Sequence, residues 1–286
     1  NYKHGCKRYF LICTMKKILI ITLFPIVLLA CKKSGGLEDK TTGLTEEAVF
    51  TDSIQTTNFL NKIYADAGYT FGPSRFNSAG GSGNSELATD NAEGNNNLSV
   101  WGNAYAQGTI GPSNVLTGFA TDKDFWNTPY KNIRRVNLLL DKISGAPFHE
   151  STRRRMRAEA RFLRAFYYHH MVIAFGGVPL IGDKVFGIND IINLPRGTYA
   201  ECVAYMVSEL DAAAADLANI TYKDIDFGRV TRGACLALKS RVLLYAASPL
   251  FNGGGISQSP VVAYPTYSAN RWQQAADAAE VVIGLN

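Results

Sequence analysis

Cysteine pairs, net charge and long apolar runs are all scarce in this 286-residue chain, and each shortage removes a class of function. Of the five cysteines, Cys6 and Cys13 precede the first plausible start at Met15, and Cys31 closes an N-terminal apolar run. That leaves Cys202 and Cys235. Neither belongs to a CxxC pair or to a Cys/His spacing, so the chain offers no zinc-type site. Both fall in expected helices and read as small buried apolar residues, bridged to each other only if those helices touch. His169 and His170 are adjacent on a helix, where their rings diverge by about 100° and cannot share a metal; packing is their expected role. The 29 Lys and Arg against 24 Asp and Glu give a formal net charge of +5. Lys3, Lys7, Arg8, Lys16 and Lys17, however, all lie in the first 30 residues, which hold no acid, so from Cys31 onward the two signs balance at 24 each. The charge case for nucleic acid or an anionic membrane surface therefore lapses.

The longest apolar run, Ile18 to Leu29, is twelve residues interrupted by Thr22 and Pro25. It is too short to span a bilayer. Behind Met15-Lys16-Lys17 it has the charged n-region and apolar h-region of a secretory signal. The ending Leu28-Leu29-Ala30-Cys31 resembles a bacterial lipoprotein box, with Cys31 as the lipid attachment site. Residues 15–30 are thus expected to be a signal peptide, residues 1–14 a translation-start artefact, and residues 31–44 a polar tether.

What is present is helical periodicity. From Ser151 to Leu180 apolar side chains recur every three or four positions (Met156, Ala160, Leu163, Phe166 and Tyr167, His170 and Met171, Ala174), with Arg153, Arg154, Arg157, Arg161 and Arg164 on the other side. Ser151 is the expected cap, and Gly176-Gly177 with Pro179 the stop, for a helix of about 24 residues. Thr45–Ala67 and Trp126–Ile143 carry the same period. Thr198 and Glu201 form a capping box for a further helix, and Thr231 caps another, in which Ala234, Ala237, Leu238, Leu244 and Tyr245 are expected inward. Arg241 falls on that stripe and would need Asp211 or Glu209 as partner. Trp126, Thr198 and Trp272 open the first helix of three units, 72 and 74 residues apart. This predicts an all-α fold of tetratricopeptide-like helical hairpin repeats, with long irregular insertions that about double the usual ~34-residue period.

The longest insertion, residues 68–124, is rich in Gly, Asn, Ser and Thr and sustains no period. A connection this long inside a domain is usually either functional or disordered, and its aromatic residues argue for the first. It interleaves aromatic rings with amides and acids, the mixture that suits neutral polyhydroxylated ligands. Trp101 is the candidate platform, with Asp90, Asn103 and Tyr105 as polar partners; for any single ring, holding the loop in place is the competing role. Asp90 to Asn95 fails the calcium-loop template, because its third position is Ala92 and no Glu closes it. A lipid-anchored glycoside hydrolase would need two carboxylates roughly 5 Å or 6.5–9.5 Å apart across a cleft. Glu86, Asp90 and Glu93 make no such constellation evident, and no G-x-S-x-G nucleophile motif occurs. No catalytic residue, metal ligand or cofactor is assigned.

Four ordered blocks carry a resemblance: Trp126, Tyr130, Ile133 and Asn137; EARFLRAFYYHHMVIAFGGVPL at 159–180; Arg196 to Glu201 with Leu210 to Ala213; and GRVTRGACLALKSRVLLYAASPLF at 228–251. Behind a lipoprotein signal, they resemble the SusD/RagB outer-membrane lipoproteins. The resemblance implies a surface-exposed, lipid-anchored outer-membrane protein that is not an enzyme. It would bind oligosaccharides, or in RagB-type members peptides, and deliver them to a SusC-like TonB-dependent transporter. It also implies that residues 45–286 form one SusD-like helical repeat domain. Family members are longer, so the chain is expected to be C-terminally incomplete, and such a fragment to aggregate or remain partly molten when expressed alone.

Overall fold

A computed structural model describes residues 45–67, 90, 108–109, 126–187, 189–255 and 257–285. Among these residues the secondary structure is helical, and the one β-type contact is an isolated bridge between Asn252 and Tyr264. Seven α-helices follow in order: α1 (Glu46–Thr51), α2 (Ser53–Ala67), α3 (Thr128–Ile143), α4 (Glu150–Phe175), α5 (Tyr199–Asp216), α6 (Arg232–Ala247) and α7 (Ala269–Ile283). Each of α3 to α6 packs against the next, while α2 lies against α3 and α4. The expected first helices of the three units are therefore α3, α5 and α7, and α4 and α6 are the second helices of two hairpins.

Local chemistry explains the boundaries. The expected single helix from Thr45 to Ala67 is two, because the Asp52 carboxylate accepts the amides of Ile54 (2.7 Å) and Gln55 (3.0 Å) and starts α2 afresh. Thr198 and Glu201 close the expected capping box of α5: the hydroxyl accepts the Glu201 amide (3.1 Å) and the carboxylate accepts the Thr198 amide (2.7 Å). The Thr231 hydroxyl caps α6 through the Ala234 amide at 3.2 Å. At α4 the cap is His149, not Ser151; its ring nitrogen accepts the Ser151 amide, and the helix runs 26 residues.

The central helix is α4. Met156, Ala160, Leu163, Tyr167 and Met171 are buried as expected, and the Tyr167 hydroxyl donates to the Ile63 carbonyl at 2.7 Å. Burial extends further round the helix, to Ala158, Glu159, Ala165, Tyr168, His169 and Val172, because α3 and α5 flank it. Arg164, expected on a solvated face, is 1% exposed. Its guanidinium donates to Glu209 (2.8 Å), Asn137 (2.7 Å), the Gly182 carbonyl (3.2 Å) and Asp183 (2.7 Å). Glu159, fully buried, accepts from Tyr64 (2.7 Å), Tyr222 (3.4 Å) and Arg229 (3.0 Å).

In α6 the inward set is Cys235, Leu238, Val242, Ala246 and Ala247, so the expected stripe is turned about the helix axis. Leu244 is 50% exposed, Ala237 and Arg241 are exposed, and Lys239 is the residue that pairs with Asp211, at 2.7 Å. This helix is apolar on most of its circumference, which leaves periodicity a poor guide to its direction. Cys202 and Cys235 are both buried free thiols, as expected. Burial pushes the Cys235 thiol up to about 12.

The connections between hairpins also touch. Gly177 donates its amide to the Val261 carbonyl at 2.6 Å, and a Cβ on Gly177 would stand 2.0 Å from the Gly197 carbonyl oxygen. Gly176 turns the chain at φ 74°.

Two outcomes follow for stability. Arg164→Ala strands Glu209 and Asn137 in the core and should lower unfolding free energy by about 3–5 kcal/mol in urea titration, whereas the paired change Arg164→Met with Glu209→Met should recover much of that loss. His169 lies edge-on to Tyr245 at 5.5 Å, and burial, helped by the Arg241 charge, pulls its pKa down from 6.5 to about 4. Its contribution is intact above the unfolded value and is lost as pH falls from 6.5 toward 4, about 3 kcal/mol in all; His169→Gln should flatten stability across that window.

Candidate functional site

Of the residues expected to contact ligand, Trp101, Asn103 and Tyr105 lie outside the described residues, as do Cys31 and the leader, tether and nearly all of the 68–124 insertion. Asp90 is described and exposed. The described residues form a cleft elsewhere, at the point where that insertion gives way to α3.

One wall is the N-terminal part of α3 with the turn before it: Trp126, Tyr130, Lys131 and Arg134. The other is the extended segment that follows α4, bringing Pro179, Ile181, Lys184, Phe186, Ile192 and Leu194. The space between them is about 470 Å³, within the usual range for small-ligand pockets. Pro179 follows a glycine pair and cannot continue a helix, so the segment runs extended, and side chains from the helices hold it. Tyr130 donates its hydroxyl to the Pro179 carbonyl at 2.9 Å, and Arg134 donates Nε–H to the Phe186 carbonyl at 3.1 Å. The Asn137 amide donates to the Gly182 and Lys184 carbonyls, each at 2.9 Å. Arg164 adds its bonds to Gly182 and Asp183. The same buried arginine that joins the helices therefore also fixes the wall of the cleft.

The rings are held in defined attitudes. Trp126 meets Tyr130 edge-to-face at 5.2 Å and 61°, and Phe175 at 5.3 Å and 86°. Lys184 Nζ lies 4.4 Å from the Phe186 ring centroid, a cation–π contact. Burial raises the Tyr130 phenol well above its usual range, so it remains a neutral hydroxyl at physiological pH. Lys131, Arg134 and Lys184 are exposed around the cleft, and among the described residues no Asp or Glu lines it.

A second groove, about 490 Å³, runs between α5, α6 and α7. Its walls are mainly small aliphatic side chains such as Ala200, Val203, Ala204 and Ala278. Its one ring, Tyr264, is covered by the Arg271 guanidinium at 3.6 Å, so it presents no open aromatic platform. No cluster of potential metal ligands occurs among the described residues.

Sequence reasoning placed Trp126 and Tyr130 on the packed stripe of α3 and passed over Lys184 and Phe186. The usable signal was the Pro179 stop followed at once by a short basic and aromatic stretch, LIGDKVF.

Stacked helical hairpins, with a cleft where a long connection meets α3, define a helical-repeat scaffold. A SusD-like family profile, described as "Starch-binding associating with outer membrane", matches residues 45–244. The chain belongs to the SusD/RagB family, and membership places it among proteins associated with the outer membrane. It is 28% identical over 133 residues to a SusD-like protein of Formosa agariphila, a stretch covering 46% of this chain and 25% of the relative. It is 33% identical over 115 residues to the starch-binding protein SusD of Bacteroides thetaiotaomicron, covering 40% and 19%. Among solved structures, a SusD-like protein of Bacteroides fragilis superposes with a TM-score of 0.58 at 24% identity, covering 85% of this chain and 40% of that one. A laminarin-binding SusD-like protein gives 0.57 at 23%, covering 82% and 44%. At such identities the structural likeness shows the fold.

Asn137→Ala removes both bonds to the cleft segment and one acceptor of Arg164. Amide exchange over residues 181–186 should quicken, with a loss of about 1–3 kcal/mol in global stability; unchanged exchange there would mean that the segment is held by other contacts.

Proposed function

We propose that this chain is the helical scaffold of a cell-surface lipoprotein that captures oligosaccharides without altering them and passes them to a SusC-like TonB-dependent transporter. The observation that carries the reading is the cleft at the start of α3, with Trp126, Tyr130 and Phe186 on or beside walls of mixed apolar and polar character, in a chain of a family described as starch-binding. Sugar rings place their C–H faces on such aromatic surfaces while their hydroxyls bond to nearby polar groups. Proteins of similar fold support it: one is a laminarin-binding SusD-like protein, and another was crystallised with a xylogluco-oligosaccharide. Trp101, Asn103, Asp90 and Tyr105 of the insertion are proposed as further contacts, with Cys31 carrying the lipid that tethers the protein to the outer membrane. A binding role without catalysis fits a cleft that, among the described residues, no carboxylate lines, since glycoside hydrolysis uses a pair of them.

Calorimetry of the whole protein against malto-, laminari- and xylogluco-oligosaccharides should find at least one ligand, and no reducing ends should be released on prolonged incubation. Trp101→Ala should weaken that binding about tenfold. Binding of peptides in place of every oligosaccharide would turn the assignment to a RagB-type role, and sugar release would make the protein a hydrolase. Co-purification of a large β-barrel partner tests the transporter half separately.

A further inference from the structure

We propose that the Trp126 cleft takes an acidic sugar unit, one bearing a carboxylate or a sulfate; this deepens the glycan-capture reading and rests on it. Three cations surround the cleft, and they come from both walls. Lys131 and Arg134 are three apart on α3 and so share a face, while Lys184 stands on the extended segment opposite. None of the three is ion-paired among the described residues. Other cations of the same region are: Arg135 pairs with Asp66 at 2.5 Å, Lys142 with Glu46 at 3.1 Å, and Arg164 with Glu209 at 2.6 Å. The acids carried by the cleft segment are already engaged, Asp183 by Arg164 and Asp190 by the Gly187 amide at 3.0 Å. Because the chain from Cys31 onward is charge-balanced, the local excess is a feature of this cleft and not of composition.

Hydrogen-bond polarity points the same way. Lys, Arg and the Trp126 indole can only donate, and the Tyr130 proton is committed to Pro179. A neutral sugar offers hydroxyls that both donate and accept, and among the described lining residues the side-chain acceptors for their protons are two, the Asn127 amide oxygen and the Tyr130 oxygen, against three cations and an indole that only donate. A carboxylate or sulfate only accepts, and matches a donor-rich wall. Arg134 has its Nε fixed on the Phe186 carbonyl, which leaves its two terminal nitrogens for a bidentate acceptor. The flat rings beside the cations favour a pyranose carrying the acid over a bare anion.

The test is calorimetry on the whole protein with four probes: oligogalacturonate and its methyl ester, and a sulfated galactan oligosaccharide and its desulfated form. At least one acidic probe should bind about tenfold more tightly than its neutral counterpart. Its affinity should fall severalfold between about 50 and 200 mM salt. The double variant Lys131→Ala with Lys184→Ala should lose about tenfold, while Lys223→Ala, an exposed lysine on the α5–α6 connection, should lose nothing. The carboxylate and sulfate arms identify which acid is read. Equal binding of acidic and neutral forms, or full affinity in the double variant, overturns this proposal and leaves glycan capture standing. Failure of all four probes together with the neutral oligosaccharides overturns both. Lysine-dependent binding to polyglutamate, or to phosphatidylcholine vesicles containing about a third phosphatidylglycerol, with no sugar bound, would reassign the cleft to a peptide or a lipid surface.

Discussion

The buried guanidinium of Arg164 is the interaction on which the rest of this molecule depends. It sits on the central helix, and its partners are Glu209 on α5, Asn137 on α3 and the chain leaving α4 at Gly182 and Asp183. A charge taken out of water costs several kcal/mol, and only a nearly complete set of acceptors offsets that. Here the set is drawn from two neighbouring helices and a loop, so the charge is satisfied only when all three are in register. Replacing it by an apolar side chain would not tell the loop where to lie. The arginine thus converts a packing arrangement, which tolerates many small rearrangements, into one with a single solution.

Glu159 does the complementary job. It lies five positions before Arg164, roughly 140° round the helix, and gathers Tyr64 of α2 with Tyr222 and Arg229 of the α5–α6 connection. Burial and the neighbouring carboxylate push the Tyr64 phenol far above its usual range, which keeps it a donor. One acid and one base on different sides of α4 therefore fix the two regions that packing alone leaves free. The first hairpin inherits its orientation from both, and the cleft at Trp126 inherits its geometry from Arg164 through the extended segment.

The helices were legible in the sequence because their stripes and caps are local: Thr198 with Glu201 and Thr231 with Ala234 behave as their spacing requires. The exceptions are instructive. Asp52 splits a periodic segment because its carboxylate outbids the helix for two amides, a competition that apolar periodicity does not register. Arg164 reads as solvated because an arginine on a helix is usually on a wet face; its burial depends on Glu209 and Asn137, distant in sequence. The direction of α6 was hidden by having too many apolar positions to choose among. The cleft was partly legible, since Trp126 and Tyr130 belong to recognised helix positions, but its other wall, Phe186 included, is made by residues whose local sign is a proline after two glycines and the short basic and aromatic stretch behind it. Family membership was legible because it rests on four ordered blocks, and the match over residues 45–244 spans the larger part of the chain.

The α4–α5 and α6–α7 connections are joined main chain to main chain, through Gly177 to Val261 and through Tyr199, at the start of α5, to Pro260, while Gly197 bonds to Val178 within the first of them. Peptide groups are the same whatever side chain they bear, so the stitching that sets the pitch of the array is indifferent to substitution almost everywhere along these loops. Its sensitivity lies at the glycine pair: a methyl group on Gly177 would collide with the Gly197 carbonyl, and one on Gly176, already at φ 74°, would press on Val261 and Val262. Such a joint lets the exposed side chains of these loops diversify freely while the spacing of the helices beneath them stays constant.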